Sequence, residues 1–189
     1  MLSFDKCIFS MVWVFNMSKE VLERIKKSPW TSLLIKIVVT ILVIFLLLQF
    51  VFGIHVYHGN NMAPALNDGS LIITYKLDKN IYSDLVVSYK VDYLLDTTRF
   101  GRIIGVPGDI INITEEGKYT INGNIPLENI YYNTFPDTNG ITYPYTVPEG
   151  SYFIMNDYRE DTNDSRKFGA IPIENIIGQE YIEIQRRGF

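Results

Sequence analysis

Residues 37–54 read IVVTILVIFLLLQFVFGI, a run without a single charge in which Thr40 and Gln49 are the clearly polar side chains. No other feature limits the fold so strongly. At about 1.5 Å per residue, a helix over this run reaches roughly 27 Å, close to the ~30 Å hydrocarbon core of a bilayer. Lys36 stands just before it, where a long stem can carry the ammonium to the interface. A buried core helix is the soluble alternative, but runs this long and uncharged are rare in soluble domains. A cleavable signal peptide is the other alternative. Its apolar region is usually about 7–15 residues and ends in small residues. This run is longer, and Ala63-Pro64-Ala65, which has the small-x-small shape, lies too far downstream. The run is read as an uncleaved membrane anchor over residues 33–56.

Charge sets the expected orientation. Residues 1–53 carry six basic side chains (Lys6, Lys19, Arg24, Lys26, Lys27 and Lys36) against Asp5, Glu20 and Glu23, a net of +3. The whole chain has 17 Lys+Arg and 21 Asp+Glu, so residues 54–189 hold 11 and 18, a net of −7. The positive-inside rule then places segment 1–32 in the cytoplasm and exports residues 57–189. Met17-Ser18-Lys19 is a second plausible start, and 18–28 reads as a short amphipathic helix. The overall charge of −4 gives no footprint for nucleic acid. One cysteine, Cys7, rules out an intrachain disulfide framework and any multi-cysteine zinc site.

The exported part is predicted to be all-β, a coiled sheet or partial barrel. Segments 71–75, 85–89, 99–105, 110–114, 118–122, 152–156 and 176–184 are short and rich in β-branched and aromatic residues. Asn67-Asp68-Gly69, Pro107-Gly108-Asp109, Asn122-Gly123 and Pro148-Glu149-Gly150 punctuate them, because Gly and Asn tolerate positive φ. Residues 124–150, rich in Asn, Tyr and Pro, are expected to form a variable insertion.

Three motifs carry the functional reading. Asn60-Asn61-Met62-Ala63-Pro64-Ala65-Leu66 follows the anchor. Gly101-Arg102-Ile103-Ile104-Gly105-Val106-Pro107-Gly108-Asp109 comes next. Asn156-Asp157-Tyr158-Arg159, then Asp164-Ser165-Arg166-Lys167-Phe168-Gly169, close the series. In this order behind an anchor, over residues 30–185, they resemble bacterial type I signal peptidases of the Gram-positive kind. The resemblance implies a serine endopeptidase fold whose chemistry needs a serine nucleophile and a neutral lysine base. A lysine is neutral at working pH only when burial depresses its pKa. In this chain Asn61 stands at the serine position and Gly101 at the lysine position. No catalytic residue is therefore expected. Ser70, Ser83, Ser88, Ser151 and Ser165 do not adjoin Met62, and Lys76 and Lys90 are expected to face solvent. Asn156 stands for the family's glycine, Tyr158 for its asparagine and Thr162 for a serine beside the lysine.

The scaffold is retained. Asp157, Arg159, Asp164 and Arg166 are expected to brace the former site, since carboxylates and guanidinium groups pair bidentately. Met62, Pro64, Leu66 and Arg102 are expected to line a peptide groove that takes an extended chain by strand addition. Degenerate relatives are associated with sortase-dependent pilus assembly. The resemblance thus implies a membrane-bound chaperone or scaffold for an exported precursor, a pilin or a sortase. The alternative is an active signal peptidase. His55 and His58 alone do not make a metal site, no cofactor is implied, and the glycosylation patterns at Asn112 and Asn163 carry no weight in a bacterium.

Overall fold

The computed structural model describes residues 29–91, 97–127 and 132–185. Cys7, Met17 and the amphipathic stretch 18–28 lie outside the described residues. The chain divides into two units, Met1–Gln49 and Phe50–Phe189.

Helix α1 spans Pro29–Val51. Proline at the first helical position loses no hydrogen bond, and neither Gly nor Pro follows until the helix has ended. None of its residues is buried. A helix of Leu, Ile, Val and Phe with nothing covering it suits lipid, where each backbone group is satisfied within the helix. It fits a membrane anchor. The apolar run does not stay helical to its end. Phe52–Val56 form a strand, β1, because they pair residue for residue with Leu71–Tyr75, from Phe52↔Tyr75 to Val56↔Leu71.

The second unit is almost entirely β. Its further strands are β2 (Leu71–Tyr75), β3 (Val86–Tyr89), β4 (Arg99–Gly105), β5 (Ile110–Ile113), β6 (Tyr119–Ile121), β7 (Tyr145–Thr146), β8 (Ser151–Met155), β9 (Ile171–Pro172) and β10 (Ile176–Ile184). A single helical turn, α2 (Ser165–Phe168), precedes β9. Seven strands pair in the order β1-β2-β10-β3-β4-β8-β9, and β6-β5-β7 form a small second sheet. Register shifts at Glu180/Ile182, Ile176/Gly178 and Ile103/Gly105 bend the large sheet. This is the expected all-β coiled sheet. Strand β7, inside the expected insertion, pairs with Ile110 and Ile111 and so belongs to the small sheet.

Three apolar clusters hold the unit together. One gathers Val87, Tyr89, Ile103, Tyr152, Ile154 and Ile176. A second joins Ile104, Ile111, Val147, Phe153 and Met155. The third, beneath the site, contains Tyr57, Met62, Leu66, Ile72, Val86 and Phe100. Strand β4 feeds all three, so it fixes the two motifs that flank it. Its exit turn obeys local chemistry. Pro107 presets φ, Gly108 sits at φ 88°, and Asp109 N–H returns to the Val106 carbonyl at 3.0 Å.

Candidate functional site

The site starts at the turn after β1. Residues 61–66 coil so that the Leu66 N–H reaches the Met62 carbonyl at 2.9 Å. Met62 and Leu66 both go into the core, while Pro64 stays exposed. Asn61 faces the other way, onto a cavity of ≈ 660 Å³ that it shares with Tyr57, Arg99, Phe100, Asn156 and Asp161. Met62, Pro64, Leu66 and Arg102 are not in its lining. The structure thus places Asn61 on the cavity wall and puts Met62 and Leu66 behind that wall.

Asn61 is held on both ends. Its Oδ1 accepts from the Tyr57 hydroxyl at 2.6 Å, and that hydroxyl in turn accepts the Met62 N–H at 2.9 Å. Its Nδ2 donates to Asn156 Oδ1 at 2.9 Å and approaches the Phe100 carbonyl at 3.5 Å. Asn156 Nδ2 donates to the Asp161 carbonyl at 3.1 Å. The Tyr158 N–H closes the loop on the Asn61 carbonyl at 3.0 Å. Two carboxamides and a phenol whose burial raises its pKa therefore meet where the resemblance puts the nucleophile. None of them is a serviceable nucleophile or general base at neutral pH.

Gly101 adjoins this network through Phe100, but it leaves no vacancy. A Cβ built there would lie 2.5 Å from Ile154 Cγ2 and 3.2 Å from Tyr89 Cε1. The space a lysine stem would enter is already occupied by the first core cluster. Thr162 is also turned away, its hydroxyl donating to Asp137 Oδ2 at 2.6 Å. That bond, more than any other contact, holds the Asp137 carboxyl below its usual pKa. An acid–base pair does sit at the rim. His58 Nδ1 lies 3.6 Å from Asp68 Oδ1, with both side chains largely exposed. That separation is too long for a hydrogen bond.

Asp157, Arg159, Asp164 and Arg166 are all buried, with partners that sequence order did not suggest. Arg102 grips Asp157 bidentately, Nε to Oδ1 at 2.8 Å and Nη2 to Oδ2 at 2.6 Å, and also reaches Asp84. Asp157 is thus paired across the sheet, with Arg102, and not with its near neighbour Arg159. The Arg159 guanidinium lies over the Tyr119 ring at 5.6 Å. Asp164 and Arg166 are fully buried and joined at 2.7 Å. Asp164 also caps α2 and accepts the Asn156 N–H at 2.9 Å, which ties the brace to Asn61. Sequence reasoning missed Tyr57 and Ile154. The cross-strand neighbourhood that reveals them has no local signature.

Glu180 on β10 lies close enough to Arg102 and Asp157 to feel their charges. Burial first, then Glu183, raises its pKa above the ordinary 4.5. The folded state therefore holds this proton more tightly than the unfolded one. Stability is lost as pH rises from about 4.5 through the folded pKa, and the loss is complete above it. Glu180→Gln is expected to raise the melting temperature at pH 7 and leave it unchanged near pH 4. Equal effects at both pH values would contradict this.

Among the described residues, no group of three His, Cys, Asp or Glu side chains could hold a metal ion.

Residues 30–184 match the family model described as "Signal peptidase, peptidase S26". The chain belongs to the signal peptidase family. It is 30% identical over 181 residues to signal peptidase I of Bacillus caldolyticus, covering 86% of this chain and 92% of that protein. It is 28% identical over 186 residues to signal peptidase IB of Staphylococcus aureus, covering 86% and 88%. The crystal structure of a signal peptidase I from Enterococcus faecalis aligns with a TM-score of 0.45 at 24% identity, over 53% of this chain and 96% of that one.

Proposed function

We propose that this chain is a membrane-anchored, non-catalytic member of the family. It holds an extended segment of an exported polypeptide in the cavity beside Asn61. Its N-terminus is cytoplasmic, its anchor covers residues 33–56, and the domain over residues 57–189 works at the outer face. One observation carries the reading. The Asn61 and Asn156 carboxamides bond to each other beside a glycine whose side-chain space Ile154 fills. The brace at Asp157, Arg159, Asp164 and Arg166 keeps that wall rigid. Met62 and Leu66 support the wall from behind, with Pro64 and Arg102 flanking it. A photocrosslinking residue at Thr98, on the cavity, is expected to trap exported precursors in living cells. Recovery of no precursor above an untreated control would contradict the holding role.

Sortase-dependent pilus assembly is the setting we favour, with a pilin or sortase as the partner. Altered pilus polymers are expected in a deletion strain, and normal polymers would remove the pilus version alone. A second reading is an active signal peptidase. The names of the relatives favour it, and so does the retained Pro107-Gly108-Asp109 turn beside intact braces. It needs a nucleophile in the cavity, whose lining offers the hydroxyls of Thr97 and Thr98 and contains no serine, cysteine or lysine among the described residues.

A further inference from the structure

The cavity beside Asn61 has an unusual chemistry for its size. Its volume of ≈ 660 Å³ lies in the range of pockets that seat whole ligands, about 300–1,000 Å³. Four asparagines, Asn60, Asn61, Asn156 and Asn163, contribute to its wall. Arg99 and Asp161 also line it with opposite charges, so these two residues give it no net charge of one sign. The selectivity must come from hydrogen bonds.

Asn61 has capacity to spare. A carboxamide carries two N–H donors and two acceptor lone pairs. One donor is used well, on Asn156 Oδ1 at 2.9 Å. The other reaches only the Phe100 carbonyl, at 3.5 Å, the limit of a hydrogen bond. On Oδ1, Tyr57 takes one lone pair. Among the described residues, nothing is seen to take the second. A poorly used donor and an open acceptor thus sit on one planar group at the cavity wall. The group that satisfies both at once is another amide, oriented head to tail. Asn156, pinned through the Asp161 carbonyl and Asp164, keeps that face of Asn61 from rotating.

We infer that this cavity seats a side-chain carboxamide, glutamine or asparagine, of the bound polypeptide, paired with the carboxamide of Asn61. The inference rests on the peptide-holding role proposed above and names the chemistry of what is held. A small apolar residue fits poorly here, since it leaves the amide wall unpaired. Asn61 is then the specificity-determining residue, and Asn156 positions it.

The test uses the full chain in lipid nanodiscs. The probe is a fluorescein-labelled peptide of alternating threonine and valine with one variable central residue. Binding is read by anisotropy for Gln, Asn, Ala, Leu and Glu at that residue. Gln or Asn is expected to bind about tenfold tighter than Ala, the worth of one to two net hydrogen bonds. Asn61→Ala is expected to erase that preference, so that the Gln, Asn and Ala peptides bind alike to the variant. Asn61→Asp, which keeps the shape but loses the donor, provides a second reading should the alanine variant fold poorly, and it is expected to reduce the preference. Equal binding of Gln, Ala and Leu would overturn the inference and leave the holding role intact, with backbone amides as the recognised group. No binding by any peptide would overturn both.

Discussion

Arg166→Ala is expected to destabilise the β domain by about 3–5 kcal/mol, the usual result of removing one partner of a buried ion pair. The magnitude follows from the partners. Arg166 is completely buried. Its guanidinium donates to Asp164 at 2.7 Å, to the Arg159 carbonyl at 2.7 Å, to the Asp161 carbonyl at 2.6 Å and to the Phe135 carbonyl at 3.2 Å. Truncation leaves three carbonyls without this donor and the buried Asp164 carboxylate without its counter-ion, although the Asn156 and residue-166 N–H groups still reach it. A domain of this size has about 5–15 kcal/mol in all, so the loss is a large fraction of its stability. The expected readout is a fall in Tm of roughly 10 °C or more. Asp164→Asn should cost nearly as much, since it strands the guanidinium charge. A loss below about 1 kcal/mol, the range of exposed pairs, would show that the brace is not what holds residues 156–166 in place.

The second large effect concerns restoring the family dyad. The double variant Asn61→Ser with Gly101→Lys is expected to gain no peptidase activity and to lose stability. The obstacle is steric before it is chemical. A Cβ at position 101 falls 2.5 Å from Ile154 Cγ2, a branched methyl locked in the first core cluster. Overpacking of this kind costs about 1–3 kcal/mol before the ammonium is accounted for, and an unpaired buried charge adds to it. Ile154→Ala should relieve part of the loss, so Gly101→Lys and Ile154→Ala are expected to be less destabilising together than the sum of the two alone. Thermal melts of the four proteins measure this. Strict additivity, or a Gly101→Lys variant as stable as the parent, would show that the lysine space is still open.

Much of the fold was legible in the residues. Strand β4 announces itself as Arg99–Gly105, bounded by its Pro107-Gly108 turn, and β10 as the long run 176–184. Strand β1 was not legible. Phe52–Val56 continues an apolar run, and periodicity cannot separate a strand from the tail of a membrane helix there. Only its pairing with Leu71–Tyr75 decides the matter. Strands β7 and β9 are two residues each, too short for any pattern. At the site, Asn61 lies next to the strand that carries Gly101, its Nδ2 3.5 Å from the Phe100 carbonyl. Motif spacing could not show that Met62 and Leu66 turn into the core, because that depends on the irregular turn at 61–66. Nor could it pair Arg102 with Asp157 across 55 positions of sequence. The filling of the Gly101 space by Ile154 is a fact of packing between β4 and β8, and nothing in either segment alone encodes it.

The central claim is that the wall around Asn61 holds a peptide without cutting it. The most direct measurement is incubation of the purified full-length protein, in lipid, with a precursor bearing a bacterial signal peptide, followed by mass spectrometry of the products. An intact precursor is the expected result. Cleavage at the signal site, abolished by substituting one residue of this chain, would contradict the claim and identify the nucleophile or base.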